Sequence, residues 1–416
     1  METKSSADTS TDASTDTRTG TSTDARTGTA TDTRTGTATD ARIHPFRIDI
    51  AQTELDDLRD RLARTRWGSE IPGAGWSRGV PTDYLKSLAG YWADGYDWRE
   101  AEARLNEFPQ FTTGIDGQNI HFLHVRSQNP AAVPLLLLHD WPCSFVQFVE
   151  VIGPLTEDFH VIVTSTPGTG FSGPLGEAGW NTGRIAGAFV ELMARLGYDS
   201  YGVQGTGGGA WIAAEMGRQA PERIAGIHLT GLVTFPAGDP AELDGLTAAE
   251  QERLARLADF QQDKMGFNAI QSTRPQTLAY GLHDSPVGQL AWIAEKFKEW
   301  TDPVAELPED AVGRDNLLTN ISVYWFTGTA GSSANLYYEA GHDPGAWAPK
   351  PRGTVPTGVT VALGTDIAIR RFAERDHNIT HWSELERGGN FLALEQPAAF
   401  VTEVRAFFNS PGHLAG

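Results

Sequence analysis

The stretch Tyr201–Trp211, "YGVQGTGGGAW", constrains this chain more than any other. An apolar strand pattern runs into Gly205, Gly207, Gly208 and Gly209, and a helix pattern, "AWIAAEMGRQ", follows at once. A strand turns into a helix this abruptly only where the backbone takes conformations and close approaches that glycine tolerates. Three further runs, "AVPLLLLHDW", "FHVIVTSTPG" and "IAGIHLTGL", are short and apolar on both sides, as strands buried on both faces are. Helical "RIAGAFVELMARLG" lies among them. The alternation predicts an α/β fold with a right-handed, mostly parallel sheet and helices on both faces.

The segments divide the chain. Residues 1–41 repeat "TDARTGTA" and "TDTRTGTA" with a period of eight and hold almost no large apolar residue. Nothing there offsets the entropy of ordering, so a disordered low-complexity tail is expected. Residues 42–110 predict a helical module: Leu55, Leu58 and Leu62 are at helical spacing, and Tyr84, Leu85, Leu88 and Tyr91 are expected on one face. The sheet domain takes 111–240, opening with the strand "QNIHFLHVRS". A helical insertion, read as a cap, takes 241–345. The sheet resumes over 346–416 with "PTGVTVALGTD", "HNITHWSELERGGNF" and a closing helix, "PAAFVTEVRAFFNS".

Composition narrows the partners. Lys and Arg number 33 against 53 Asp and Glu, a net charge of -20, which argues against a nucleic-acid groove. The absence of a long apolar run predicts no membrane span, and the polar start predicts no secretory leader. The single cysteine, Cys143, excludes an internal disulfide and fits a reducing cytoplasm. Abundant Ala, Gly, Thr and Arg suggest a GC-rich bacterial source. The expected partner is a hydrophobic small molecule, with a homodimer admissible. No cofactor is expected: "GTGGGA" follows a late strand and lacks the acidic residue of a dinucleotide site. No metal is expected either, since His377 and His381 lie in or beside a strand.

In order and content, these segments resemble the microsomal-type epoxide hydrolases of the α/β-hydrolase fold. "PFRID", "LDDLRDRL" and "RW" resemble that family's N-terminal domain. "HDWPCSF" resembles its His-Gly-Trp-Pro loop, "STPGTGFS" its Pro-Gly-Tyr-Gly-Phe-Ser stretch, and "RGGNFLALEQP" its Arg-Gly-Gly-His-Phe segment. "TRPQTLAYGLHDSPVGQLAWIAEKF" and "NISVYWFTGTAGSSANLYYE" resemble its cap. The resemblance implies a two-step reaction. An aspartate on the strand-to-helix elbow attacks the epoxide, cap tyrosines bind the departing oxygen, and a histidine backed by an acid activates water to cleave the ester.

The implied positions depart from that scheme. Gly207 stands at the nucleophile position; reading Thr206 as the nucleophile puts Gln204 where a small residue is required. Asn390 stands at the base position, and an amide takes no proton from water. One cap tyrosine corresponds to Phe267 and the other to Tyr337, with Tyr338 as a stand-in. The relay acid corresponds to Asp366. The N–H groups of Gly208 and Trp141 are expected to form the oxyanion hole, and loss of a side chain at Gly207 is expected to enlarge the pocket floor. Asp140 replaces the glycine of the His-Gly-Trp-Pro loop, as a general base or acid or as a loop carboxylate capping a turn. Asn390 holds a substrate oxygen or makes a structural hydrogen bond. His139 is read as loop support and Cys143 as buried filler.

Three functions follow. The first is a non-hydrolytic enzyme that opens an epoxide, cyclises or rearranges a polycyclic natural product, as relatives in bacterial antibiotic pathways suggest. The second is a non-catalytic binder of a hydrophobic metabolite. The third is a hydrolase rebuilt around Asp140.

Overall fold

A computed structural model describes residues 40–345, 348 and 350–409; the repeats of the expected tail lie outside the described residues. The core is one nine-stranded sheet. Its strands are β1 (His44–Phe46), β2 (Gln110–Ile115), β3 (Gln118–Val125), β4 (Val133–Leu138), β5 (Phe159–Thr164), β6 (Tyr201–Thr206), β7 (Ile224–Thr230), β8 (Pro356–Ala362) and β9 (Asn378–Leu385). They lie in the order β1-β2-β3-β5-β4-β6-β7-β8-β9. From β5 to β9 every pairing is parallel, and β1, β2 and β3 extend one edge antiparallel. This is the mostly parallel α/β sheet expected from the alternation, in the α/β-hydrolase form that the resemblance implies.

Strand β4 shows why its leucines are continuous. Leu135 and Leu137 pack into the core on one face, and Leu136 and Leu138 into the core on the other. Helices Thr182–Arg195 and Gly208–Gln219 cover the second face. The closing helix Pro397–Phe408 and helix Val149–Leu155 cover the first.

The N-terminal region is not purely helical. "HPF" pairs with β2, His44 opposite Thr112, and forms the sheet edge. A three-residue strand has too little periodicity to announce itself. In helix Thr82–Asp94 Leu85, Leu88, Ala89 and Trp92 are buried, and Tyr84 and Tyr91 pack partly buried against the same core, as expected. Tyr84 and Tyr91 donate their hydroxyls to Glu309 (2.6 Å) and Asp315 (2.8 Å). The expected strand "HNITHWSELERGGNF" ends at Leu385, and the rest is a loop leading to the short helix Leu392–Glu395.

Between β7 and β8 the chain forms the cap. Its helices include Ala248–Asp259, Gly266–Gln271, Pro286–Trp300, Arg314–Thr327 and Ala330–His342. The N-terminal helices hold it from outside: Trp92 Nε1 donates to Ser322 Oγ (2.9 Å), and the Tyr96 and Thr319 hydroxyls bond at 2.9 Å. Among the described residues no helix is long and apolar enough to cross a membrane.

Candidate functional site

The site is built where β4 and β6 end beneath the cap. β6 closes at Thr206, and Gly207 follows at φ 52°, ψ -113°, with its N–H donating to Thr230 O (3.1 Å). The helix Gly208–Gln219 starts on the next residue. Two glycines are demanded by backbone crowding: a Cβ at Gly209 would strike Leu138 O, and one at Gly205 would strike Gly209 O. These are the small flanking positions of the elbow.

At Gly207 the obstacle is a side chain. A Cβ there would land on the carboxylate of Asp140. The floor at Gly207 is therefore filled, contrary to the expectation of added room. Asp140 extends from the loop after β4 into the space an elbow side chain would take.

Its bonds correct a second expectation. Asp140 Oδ1 accepts the N–H of Gly208 (2.7 Å) and of Trp141 (2.9 Å). The two donors expected to polarise a substrate oxygen are thus already bound to a carboxylate, which also caps the positive end of the following helix. Asp140 Oδ2 accepts from Asn390 Nδ2 (2.7 Å). Burial pushes the carboxyl up to about 6, against the downward pull of Gly208, Asn390 and Trp141.

The loop that carries Asp140 is fastened on several sides. Gln147 Oε1 accepts the Asp140 N–H (3.2 Å). His139 accepts the Thr166 N–H (3.1 Å) at Nε2 and bonds Asp140 O (3.0 Å) through Nδ1; burial lowers it to about 4, so it is a neutral brace. Cap helix Arg314–Thr327 grips the rest: Asn320 Nδ2 donates to Pro142 O (2.8 Å), and the Tyr324 hydroxyl to Cys143 O (2.7 Å). Cys143 is fully buried and burial raises its thiol, so it is packing.

Above the carboxylate stands an aromatic box. Phe267 stacks on Trp141 at 5.4 Å with planes 4° apart. Tyr337 meets Trp141 edge-on at 5.5 Å and Phe267 at 5.6 Å, and Trp300 closes a further side at 5.2 Å from Phe267. No hydrogen bond of the Tyr337 hydroxyl is found among the described residues. Burial raises its phenol well above 10 and the Asp140 charge adds to this, so it stays a proton donor.

A cavity of about 520 Å³ joins these groups: Asp140, Trp141, Gly207, Gly208, Phe267, Tyr337, Asp366 and Asn390 all line it. Tyr338 does not; its ring stacks on His342 at 4.0 Å, so it is no stand-in for a cap tyrosine. Asp366 lines the wall without joining Asn390. Its Oδ2 accepts the Ala362 N–H (2.8 Å), and burial pushes it up to about 6. The Asn390 amide is instead committed to Asp140. Sequence reasoning took Gly207 and Asp140 separately and missed that the Asp140 carboxylate occupies the space a side chain at 207 would take. It also missed Arg256, Trp300 and Thr365 on the cavity wall.

Comparison with known proteins places this geometry. The epoxide hydrolase N terminus model matches residues 43–148, and the alpha/beta hydrolase fold model matches 133–273. A Stigmatella aurantiaca protein assigned as an epoxide hydrolase is 43% identical, over 88% of this chain and 84% of its own. Epoxide hydrolase 1 of Sus scrofa is 33% identical, over 88% of each. The crystal structure of juvenile hormone epoxide hydrolase from Bombyx mori superposes with a TM-score of 0.82 at 31% identity, covering 89% of this chain and 95% of that one. The Aspergillus niger epoxide hydrolase structure gives 0.79 at 30%, covering 88% and 96%.

Proposed function

Because this chain belongs to the epoxide hydrolase family of the α/β-hydrolase fold, we propose that it opens an epoxide on a hydrophobic polycyclic substrate without an enzyme ester, as a non-hydrolytic tailoring enzyme. The observation that carries this is the Asp140 carboxylate lying in the slot of the missing elbow side chain, hydrogen-bonded to Asn390. If Asp140 attacked the ring, the ester would need a base at position 390 to release it, and an amide supplies none. As a base, Asp140 needs no such partner. Its pKa of about 6 leaves it ionised at neutral pH and suited to proton transfer.

In the proposed reaction a hydroxyl within the substrate gives its proton to Asp140 Oδ2 while its oxygen bonds to a ring carbon. The ring C–O bond breaks, its electron pair goes to the ring oxygen, and the Tyr337 hydroxyl hydrogen-bonds that oxygen. The proton on Asp140 returns to the alkoxide, so the product is an isomer. The walls of Trp141, Phe267 and Trp300 favour an apolar body and hold the reacting atoms together. A second reading keeps the same base and lets it activate water, a rebuilt hydrolase; the ionisation of Asp140 near neutrality favours it equally.

An apolar polycyclic epoxide bearing a hydroxyl, incubated in heavy-oxygen water, separates these. An unlabelled cyclic isomer is expected. A labelled diol selects water as the nucleophile, saturable binding without turnover selects a binder, and an ester on Asp140 in the intact-protein mass sinks the non-covalent scheme.

A further inference from the structure

The cavity wall holds a cation that the ring-opening scheme leaves unused. Arg256 projects from cap helix Ala248–Asp259 and lines the cavity beside the loop after β8. Its Nη1 donates to Leu363 O (2.6 Å), its Nε–H is buried without a partner, and no carboxylate of the described residues lies within ion-pair distance. Its helix neighbour Arg253 pairs with Glu384 at 2.7 Å. Of the other charged groups of the wall, Lys264 pairs with Asp259 (2.8 Å) and Glu299 with Lys296 (2.7 Å), while Lys298, like Arg256, meets a backbone carbonyl, Ala305 O (3.1 Å). Asp366 feels the Arg256 charge, but its Oδ2 takes the Ala362 N–H. Four more donors of the cavity wall, the Thr365 and Thr166 hydroxyls and Nε1 of Trp300 and Trp180, are buried without partners.

A buried donor left unpaired is costly, and more so when charged. Of these donors the Arg256 guanidinium is the charged one, and what it lacks is an anionic acceptor within bonding distance. We propose that the Arg256 end of the cavity is a carboxylate-binding subsite, and that the substrate is an apolar body with one carboxylate. This rests on the reading of the cavity as a substrate pocket. A guanidinium matches a carboxylate in geometry as well as charge. The subsite would anchor the substrate at one end while the aromatic box holds the rest. The net charge of -20 does not oppose this at contact, because exposed charges are screened beyond about 8 Å in physiological salt.

Calorimetric titration with 2-naphthoate and 2-naphthamide, alike in shape but not in charge, tests the subsite on the full chain. The wild type is expected to bind naphthoate about tenfold or more tighter than naphthamide, and Arg256→Gln to bind the two alike with naphthamide affinity retained. Absence of saturable naphthoate binding, equal wild-type affinities, or a preference that survives Arg256→Gln overturns the proposal. If Arg256→Gln does not fold, Arg256→Lys carries the test: it keeps the charge without the planar edge and must weaken the preference. The readout is separate from ring opening. Equal wild-type affinities leave the role of Asp140 standing, and unchanged turnover in Asp140→Asn leaves the Arg256 subsite standing.

Discussion

Asp140 fills the slot at Gly207 with a carboxylate from another loop, and its bonds there decide what that carboxylate can do. One oxygen is held by the Gly208 and Trp141 N–H groups and the other by Asn390. Asp140→Asn keeps the shape and removes the base. It is expected to lower kcat about a hundredfold or more with the thermal midpoint preserved; unchanged turnover would exclude Asp140 from the chemistry. Since the active form is the carboxylate, kcat/KM is expected to rise with pH through about 6 and level off above it. A profile falling across that range contradicts the assignment. Tyr337→Phe, which removes only the hydroxyl, is expected to cost about tenfold or more in kcat.

At the scale of the element, the strand-to-helix turn explains why the elbow can lack its side chain and keep its shape. Gly205 and Gly209 are held by backbone contacts with Gly209 O and Leu138 O, independent of position 207. Position 207 is closed by Asp140 and by its φ of 52°, which strains any L-residue. Gly207→Asp alone places two carboxylates in one slot and is expected to destabilise by about 1–3 kcal/mol or more. Gly207→Asp combined with Asp140→Gly removes the clash and is expected to recover most of the thermal midpoint. A single variant as stable as the wild type would mean that Asp140 does not occupy the slot. The cap acts on the same turn from above, since Asn320 and Tyr324 hold the loop that aims Asp140.

Across the whole molecule, stability against pH follows from two opposing sets of buried groups. Burial lowers His121 and His228 to about 3, and His124, His139 and His377 to about 4. Their folded pKa lies below 6.5, so their contribution is present above 6.5 and is lost as pH falls through the folded values. Burial raises Asp140 and Asp366 to about 6 and Glu395 to about 8. Their contribution is greatest at low pH and is lost as pH rises through 6 and 8. Below 6.5 the five histidines outweigh the three acids; above it only the acids act. The thermal midpoint is therefore expected to peak near pH 6.5 and to fall more steeply on the acid side. A midpoint that climbs steadily from pH 5 to 8 would contradict this balance.

How much was legible varies with how local the cause is. The β4 leucines, the glycines at 205 and 209 and the helical cap follow from periodicity and backbone crowding, which neighbouring residues dictate. β1 escaped notice because three residues carry no period, and the tyrosines of helix Thr82–Asp94 stay partly exposed because their hydroxyls reach Glu309 and Asp315. The departures at 140, 207, 267 and 390 were visible along the chain as separate substitutions. That three of them are one arrangement was not, because Asp140, Gly207 and Asn390 meet only when the ends of β4 and β6 and the loop after β9 converge. Likewise the place of Arg256 on the cavity wall, bonded to a carbonyl and not to a carboxylate, exists only in the folded chain. The order of residues decided which groups are present and which elements carry them; tertiary packing decided which groups face each other, because those distances span hundreds of residues and no local preference encodes them.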